Sequence, residues 1–457
     1  MPRSNVGAVE SAALEARIQD VGRDLAARLP QGSRGPLQAL DERAMDLATQ
    51  DAQLKAALFR FVDVVPACRS LDDLARHLTA FLGEVDAPGR PVDAALRLSG
   101  SKPGRAALGA AAAAGVKRMA HRFIVGETPA AAQAVLRRLW EGGVATSVDL
   151  LGEATITADE ADRYADRCRS ALDDLAAVYG PLAPRPLLEA DAAGPTPRVN
   201  LSVKVSALTP LLRPEAPELG QRDAAERLRP LLRHARTLDA HLHIDMESFD
   251  SREAVTDLVL DLLGEAEFSG GPSAGLVIQA YLRDSPELLE RVIASSAAAQ
   301  RRHPLTVRLV KGAYWDHEVV EAGQHGWTVP VFEVKADSDR NFEALTRRMV
   351  QARVDGAGLR IAIASHNVRS LAHAIAVNQA LGGGPADIEL QLLRGLGDDV
   401  QDALAAGGHR VRTYCPVGDL VAGMAYLVRR LLENTSNDGF LAAQAQGTPL
   451  DALLAAP

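Results

Sequence analysis

The stretch Leu201-Ser202-Val203-Lys204-Val205-Ser206-Ala207 alternates apolar and polar residues with period two. Successive side chains of a strand point to opposite faces, so the odd positions suit a helix layer while Ser202, Lys204 and Ser206 share the other side. His241-Leu242-His243-Ile244-Asp245-Met246-Glu247 repeats the design, with Leu242, Ile244 and Met246 opposing His243, Asp245 and Glu247. Outward from these two, β-type runs recur at 145–151, 275–281, 305–311, 360–365, 388–393 and 410–414, each followed by a helix-capable stretch. Strand–helix alternation calls for parallel strands with crossovers, and eight units favour an α/β fold closed into a (β/α)8 TIM-type barrel. The rival, an open doubly wound sheet, needs a Gly-x-Gly-x-x-Gly turn after its first strand. Leu151-Gly152-Glu153-Ala154 is no such turn.

The remainder frames that barrel. Residues 1–140 are rich in Ala, Leu, Arg and Glu and read as an all-helical arm or domain, broken at 30–36, at Pro66 and at 86–91. Residues 141–440 form the barrel, and 441–457 a short tail that suits a docked helix, a linker or a stub. Of the 457 residues, 47% are apolar and 24% charged, enough to bury a large core. Fifty Lys and Arg against 59 Asp and Glu give a net charge of −9, which argues against nucleic acid as a partner. Cys68, Cys168 and Cys415 lack pair spacing, so neither a disulfide framework nor a thiolate metal site underlies the fold, and no metal is expected. The first residues carry no secretory pattern and no apolar run reaches about 18 residues. A cytoplasmic protein is expected.

Several strands aim polar groups at one axis: Lys204, Asp245, Gln279, Arg308, Gln391 and Tyr414. Burying an unpaired Lys or Arg is costly, so these groups need partners or a bound ligand. A self-paired polar plug, with Lys204 on Asp245, is the plain alternative; a packed barrel core usually favours Val, Ile and Leu. On the helix over 419–434, Tyr426, Arg429, Arg430 and Glu433 fall on one stripe. Paired guanidinium forks suit a carboxylate, although an exposed Arg429–Glu433 helix pair explains the same spacing. Lys311-Gly312-Ala313, Ser365-His366-Asn367 and Arg394-Gly395-Leu396-Gly397 follow late strands, where barrels place phosphate sites. There, small residues admit a pyrophosphate while Lys and His supply charge.

The segments 200–208, 277–281, 308–315 (Arg308-Leu309-Val310-Lys311-Gly312-Ala313-Tyr314-Trp315), 365–367 and 426–434 resemble those of proline dehydrogenase. The likeness is closest to the flavin domain of the bacterial bifunctional proline utilization A (PutA) proteins. Upstream, 58–64 and 123–128 resemble the helical segments that precede the barrel in that group. The resemblance implies a distorted (β/α)8 barrel that binds FAD and oxidises L-proline to Δ1-pyrroline-5-carboxylate by hydride transfer to the flavin N5. It also implies electron delivery to a membrane quinone, with peripheral contact at the inner face of the membrane. It assigns Lys204, Arg429 and Arg430 to the substrate carboxylate, and Tyr414, Tyr426 and Leu393 to the walls of the ring, with Tyr314 nearby. Asp245 would orient the cations, and Glu153 would gate the site against Arg429. Arg308 would lie near N5 and Gln279 on the flavin ring. Val310, Lys311, Gly312, Ala313, Lys335, Ser365, His366, Asn367, Gln391 and Glu433 complete the implied cofactor set. The DNA-binding module and the aldehyde-dehydrogenase half of the bifunctional proteins have no counterpart in the sequence, which leaves a pyrroline-5-carboxylate dehydrogenase domain or partner to be supplied. A flavin dehydrogenase for hydroxyproline or another cyclic amino acid, and a non-catalytic barrel that binds flavin or an amino acid, remain alternatives.

Overall fold

The computed structural model describes residues 4–30, 51–86, 89–152, 154–419, 423, 443 and 447–457. Eight parallel strands close a barrel: β1 (Val144–Leu150), β2 (Asn200–Val203), β3 (His241–Ile244), β4 (Ser273–Gln279), β5 (Leu305–Val310), β6 (Leu359–Ala364), β7 (Ile388–Leu393) and β8 (Val411–Val417). Each pairs with its sequence neighbours, and β1 closes on β8 from Val144 opposite Val411 to Leu150 opposite Val417. The (β/α)8 expectation therefore holds, with a strand at each of the eight expected places, although β2 and β3 each end three residues early.

The period-two pattern sorts the wall. Leu201, Leu242, Leu276, Ile278, Val307, Leu309, Ile363 and Leu390 are fully buried in the layer between strands and helices. At about 2 kcal/mol for each large apolar side chain removed from water, this layer is the main source of stability. The crossover helices begin where the sequence supplies caps. Thr157 and Glu160 form a reciprocal capping box on the helix Ala158–Tyr179, and Asn367 accepts the Ser370 N–H to start Val368–Ala380.

The opposite face of the strands is polar. Ser147, Asn200, Ser202, His241, His243, Arg308, Glu389, Gln391 and Arg412 are all buried in the lumen. Gly275 makes room for this filling: a Cβ there would lie 2.6 Å from the His243 ring. A two-residue antiparallel ladder, Ala190–Asp191 with Gly194–Pro195, provides the acid that meets this lumen at the amino-terminal end of the barrel.

Two outer layers sit on the barrel. The helix Ser4–Arg28 packs on Val368–Ala380, where Ile18 meets Ala372 and Ala376. Arg369 locks the contact by pairing with Glu15 and Glu343 and donating to the Leu454 carbonyl. The tail thus docks at 450–454, beside Gly22 and Gln19. The helices Ala52–Val64, Leu71–Leu82 and Lys102–Phe123 share a second core built on Phe61, Leu74, Leu78, Val116 and Phe123. Among the described residues no helix is long and apolar enough to cross a membrane.

Candidate active site

At the carboxyl-terminal end of the barrel, β2 ends earlier than the alternation predicts. The Lys204 N–H donates to the Tyr164 hydroxyl at 3.2 Å instead of extending the ladder, and a 3-10 turn follows at Val205–Ala207. Ser206, within that turn, donates to the Glu247 carboxylate. The bend carries the Lys204 ammonium onto Asp149, an acid on β1 outside the polar set that the sequence singles out, with Asp245 at 3.7 Å. Lys204 therefore has Asp149, not Asp245, as its first partner. The signal was present in the strand: Ser147 and Asp149 share the lumen face of β1 by the same alternation that selected Lys204.

Asp245, just past β3, is the hub. One oxygen accepts from Arg308 Nη1 at 2.7 Å and the other from the Tyr414 hydroxyl at 2.7 Å. Arg308 Nε donates to Gln391 Oε1 at 2.7 Å, and Nη2 reaches Ser147 and Ser202 at 3.3 Å. Gln391 in turn donates to Glu389 at 2.7 Å, and Glu389 is paired with Arg412 at 2.7 Å. A continuous polar run therefore threads the lumen from Arg412 up to Tyr414. Glu389 acts within it as an amide lock, since its carboxylate can accept only the NH2 side of Gln391 and so turns the carbonyl toward Arg308.

The electrostatics follow the geometry. Burial works against charge on Lys204, but Asp149 and Asp245 outweigh it and hold its pKa above the usual lysine value. Burial, reinforced by Asp149 and Asp245, pushes the Tyr414 hydroxyl well above its usual range, so it stays a donor. Burial also raises Glu247, against the Ser206 hydrogen bond.

The strand ends that follow form the flank. Lys311 and Lys335 converge on Asp339, Lys335 at 2.7 Å. Gly312 has φ +137°, and a Cβ there would strike the Tyr281 ring at 2.4 Å, so the Lys311-Gly312-Ala313 turn beyond Val310 requires glycine. Tyr314 occupies the position just before the helix Trp315–His325. Ser365 accepts the Asn367 N–H at 3.1 Å. His366 is held on the neighbouring strand end, where its Nε2 accepts the Leu393 N–H at 2.9 Å. Leu393 pairs in register with Tyr414. Gln279 donates to the Glu247 carbonyl at 2.9 Å, while its buried Oε1 accepts nothing among the described residues. A cavity of about 420 Å³ lies between Lys335, Asp339, Asn367 and Ser370 on one side and Leu453 and Pro457 of the tail on the other. Glu153, Tyr426, Arg429, Arg430 and Glu433 lie outside the described residues.

Away from the barrel, Cys68, Asp73 and His77 each bring a ligand atom within 4.8 Å of the others. Asp73 is already engaged by Arg76 at 2.6 Å and by the Arg69 N–H.

A closed parallel barrel with its convergent charged groups at the carboxyl ends of the strands is a TIM-type barrel of the enzyme class, in which that face carries the site. The chain belongs to the proline dehydrogenase family: the model of that family, described as "Proline dehydrogenase", matches residues 132–443. A second, described as "Proline utilization A N-terminal domain", matches residues 15–123. The bifunctional protein PutA of Klebsiella aerogenes is 34% identical over 352 residues, covering 75% of this chain and 25% of the relative. The proline dehydrogenase of Deinococcus radiodurans is 28% identical over 323 residues, 71% of this chain and 88% of that one. The crystal structure of PutA from Bdellovibrio bacteriovorus, inactivated by N-propargylglycine, superposes with a TM-score of 0.87 at 33% identity, over 96% of this chain and 44% of that one. The chain thus spans only a fraction of the length of the bifunctional relatives it matches.

Proposed function

We propose that this chain oxidises L-proline to Δ1-pyrroline-5-carboxylate with FAD as the immediate electron acceptor. The observation that carries the reading is the Asp149–Lys204–Asp245–Tyr414 cluster at the mouth of the barrel, a cation held charged beside an aromatic ring.

The residues present fit the cofactor. The orphaned Gln279 Oε1 offers a buried acceptor for a ring N–H, and Lys311 and Lys335 supply cations for the phosphates. Asn367, Lys335 and the cavity beneath the tail suit the nucleotide half. When bound, FAD supplies the two-electron acceptor that no side chain provides.

The remaining steps belong to the protein. Lys204, with Arg429 and Arg430 from the sequence pattern, would grip the proline carboxylate, while Tyr414, Tyr426 and Leu393 wall the ring, Tyr314 stands near and Glu153 gates. Fixing the anion at one end positions the carbon beside nitrogen and replaces a bimolecular encounter with an oriented one. Proline must lose its ammonium proton before it can give up hydride, and the neighbouring cations favour the uncharged amine as like charges do. Arg308, fixed by Asp245 and Gln391, would hold its positive charge toward the flavin.

Electrons would pass to a membrane quinone through peripheral docking from the cytoplasmic side, and the product to a pyrroline-5-carboxylate dehydrogenase domain or partner. The test compares initial rates on L-proline and on hydroxyproline with a soluble quinone acceptor, trapping the pyrroline product. Turnover of proline with trapped product supports the reading; preference for hydroxyproline, or flavin without turnover, replaces it.

A further inference from the structure

At the other end of the barrel, remote from the site above, the lumen holds a charge that its own side chains do not cancel. Three guanidinium groups, Arg360, Arg410 and Arg412, are each at least nine-tenths buried there. Two carboxylates serve them. Asp191 accepts from Arg360 Nε at 2.8 Å and from Arg410 Nη1 at 3.3 Å. Glu389 accepts from Arg412 Nε at 2.7 Å and lies 3.3 Å from Arg410 Nε. Asp387 also borders the space, but its charge is balanced by a fourth guanidinium, Arg353, at 4.0 Å, while it accepts the Ala192 and Gly384 N–H groups. Further up, Lys204 and Arg308 are matched by Asp149 and Asp245.

The two buried histidines add no compensation. His241 bridges Ser273 and His243 at 2.8 and 3.1 Å. Burial, reinforced by the surrounding arginines, pushes both imidazoles well below their usual range, so both are neutral. Histidine can escape a positive field by shedding a proton, whereas arginine cannot. Among the described residues one positive charge of this layer is left over, and burying it unpaired costs several kcal/mol.

The geometry shows where the excess lies. Arg360 spends Nη2 on Asp191 and the Gly194 and Pro195 carbonyls, yet its Nη1 is buried with no acceptor among the described residues, and Arg410 Nε beside it likewise makes no hydrogen bond there. Arg360 lines a cavity of about 30 Å³ together with His241, Ser273, Arg410 and Arg412. That volume takes a halide-sized ion or one to two waters, and it is too small for a phosphate or an amino acid.

We propose that this cavity is a binding site for one small monovalent anion of the halide class, held by Arg360 Nη1 within the arginine layer. The ion neutralises the lower half of the lumen and fixes the floor on which the Glu389–Gln391–Arg308 run stands. The site is independent of the substrate chemistry proposed above.

The test uses the full chain, purified and crystallised with sodium bromide in place of chloride, with anomalous data at the bromine edge. One bromine peak within hydrogen-bonding reach of Arg360 Nη1 is expected, and Arg360→Lys, which keeps a cation for Asp191 but removes that donor, should abolish it. Density without bromine signal, meaning water alone, overturns the proposal, as does a peak that survives in Arg360→Lys. Should the variant fail to fold, melting of the wild-type chain decides: Tm should rise saturably as bromide replaces gluconate, an anion too large for the cavity, at constant ionic strength. Identical melting in the two salts contradicts the site.

Discussion

The Tyr414 hydroxyl and the Arg308 guanidinium share Asp245, one on each carboxylate oxygen, both at 2.7 Å. The two contacts are unequal in consequence. Asp245→Ala leaves Arg308 buried without its anion and should cost about 3–5 kcal/mol. Tyr414→Phe removes one hydrogen bond to a charged group and should cost about 2 kcal/mol. Denaturant melts of the two variants check the order, and equal losses would show that Asp245 does not anchor Arg308.

Lys204 and Asp149 form a second pair, with the Asp149 side chain only 2% exposed. Each single variant, Lys204→Met or Asp149→Asn, strands a buried partner. The double variant should therefore lose less than the sum, with a coupling of about 3 kcal/mol. Strict additivity in urea unfolding would mean that the contact contributes nothing.

Acid should unfold the barrel from within. Burial, followed by the neighbouring arginines, lowers His241 and His243, and it takes His373 down to about 3. A histidine depressed in the folded state leaves the unfolded chain holding more protons, so its stabilisation is complete above about pH 6.5 and is lost as pH falls. Glu389, lowered because Arg412 and Arg410 overcome its burial, adds a loss of the same sign below about pH 4.3. Glu247, raised by burial, acts the other way as a single carboxyl: it loses stability as pH rises through its folded value. Urea midpoints at pH 7.5 and about pH 5 should therefore fall with acid, and a flat profile contradicts the buried-imidazole account.

Gly312→Ala confronts both an unfavourable φ of +137° and the Tyr281 ring. The turn should shift and lose more than about 1 kcal/mol, and flavin retention after gel filtration should drop at least several-fold. Normal flavin content in the variant would separate this turn from the cofactor.

The fold was legible because one rule, period two, governed all eight strands: the same alternation that put Leu242 and Ile244 outward put His243 in the lumen. It failed at strand ends, where local partners take over. Lys204 left its ladder for the Tyr164 hydroxyl, a contact between residues 40 apart in sequence that no pattern announces. Asp149 was missed although it shares a face with Ser147, and Glu389 although it alternates with Gln391; neither falls in a segment that a family resemblance highlights. The His366 acceptor role depends on the backbone of Leu393, and such tautomer choices are set by tertiary contact. Lys335 and Asn367 were picked from the resemblance, while the cavity they share with the docked tail emerges only from the structure.

The central claim is that Lys204, held charged by Asp149 at the barrel mouth, grips the substrate anion next to a bound flavin. The most direct measurement is anaerobic: record the visible spectrum of the purified protein, add L-proline, and repeat with Lys204→Met. The account predicts that the oxidised flavin band bleaches in the wild-type protein, while the variant, with equal flavin, needs at least about tenfold more proline, the factor that about 1.4 kcal/mol of lost binding represents. A flavin band unchanged by proline in the wild-type protein, or bleaching at the same concentration in both, would contradict it.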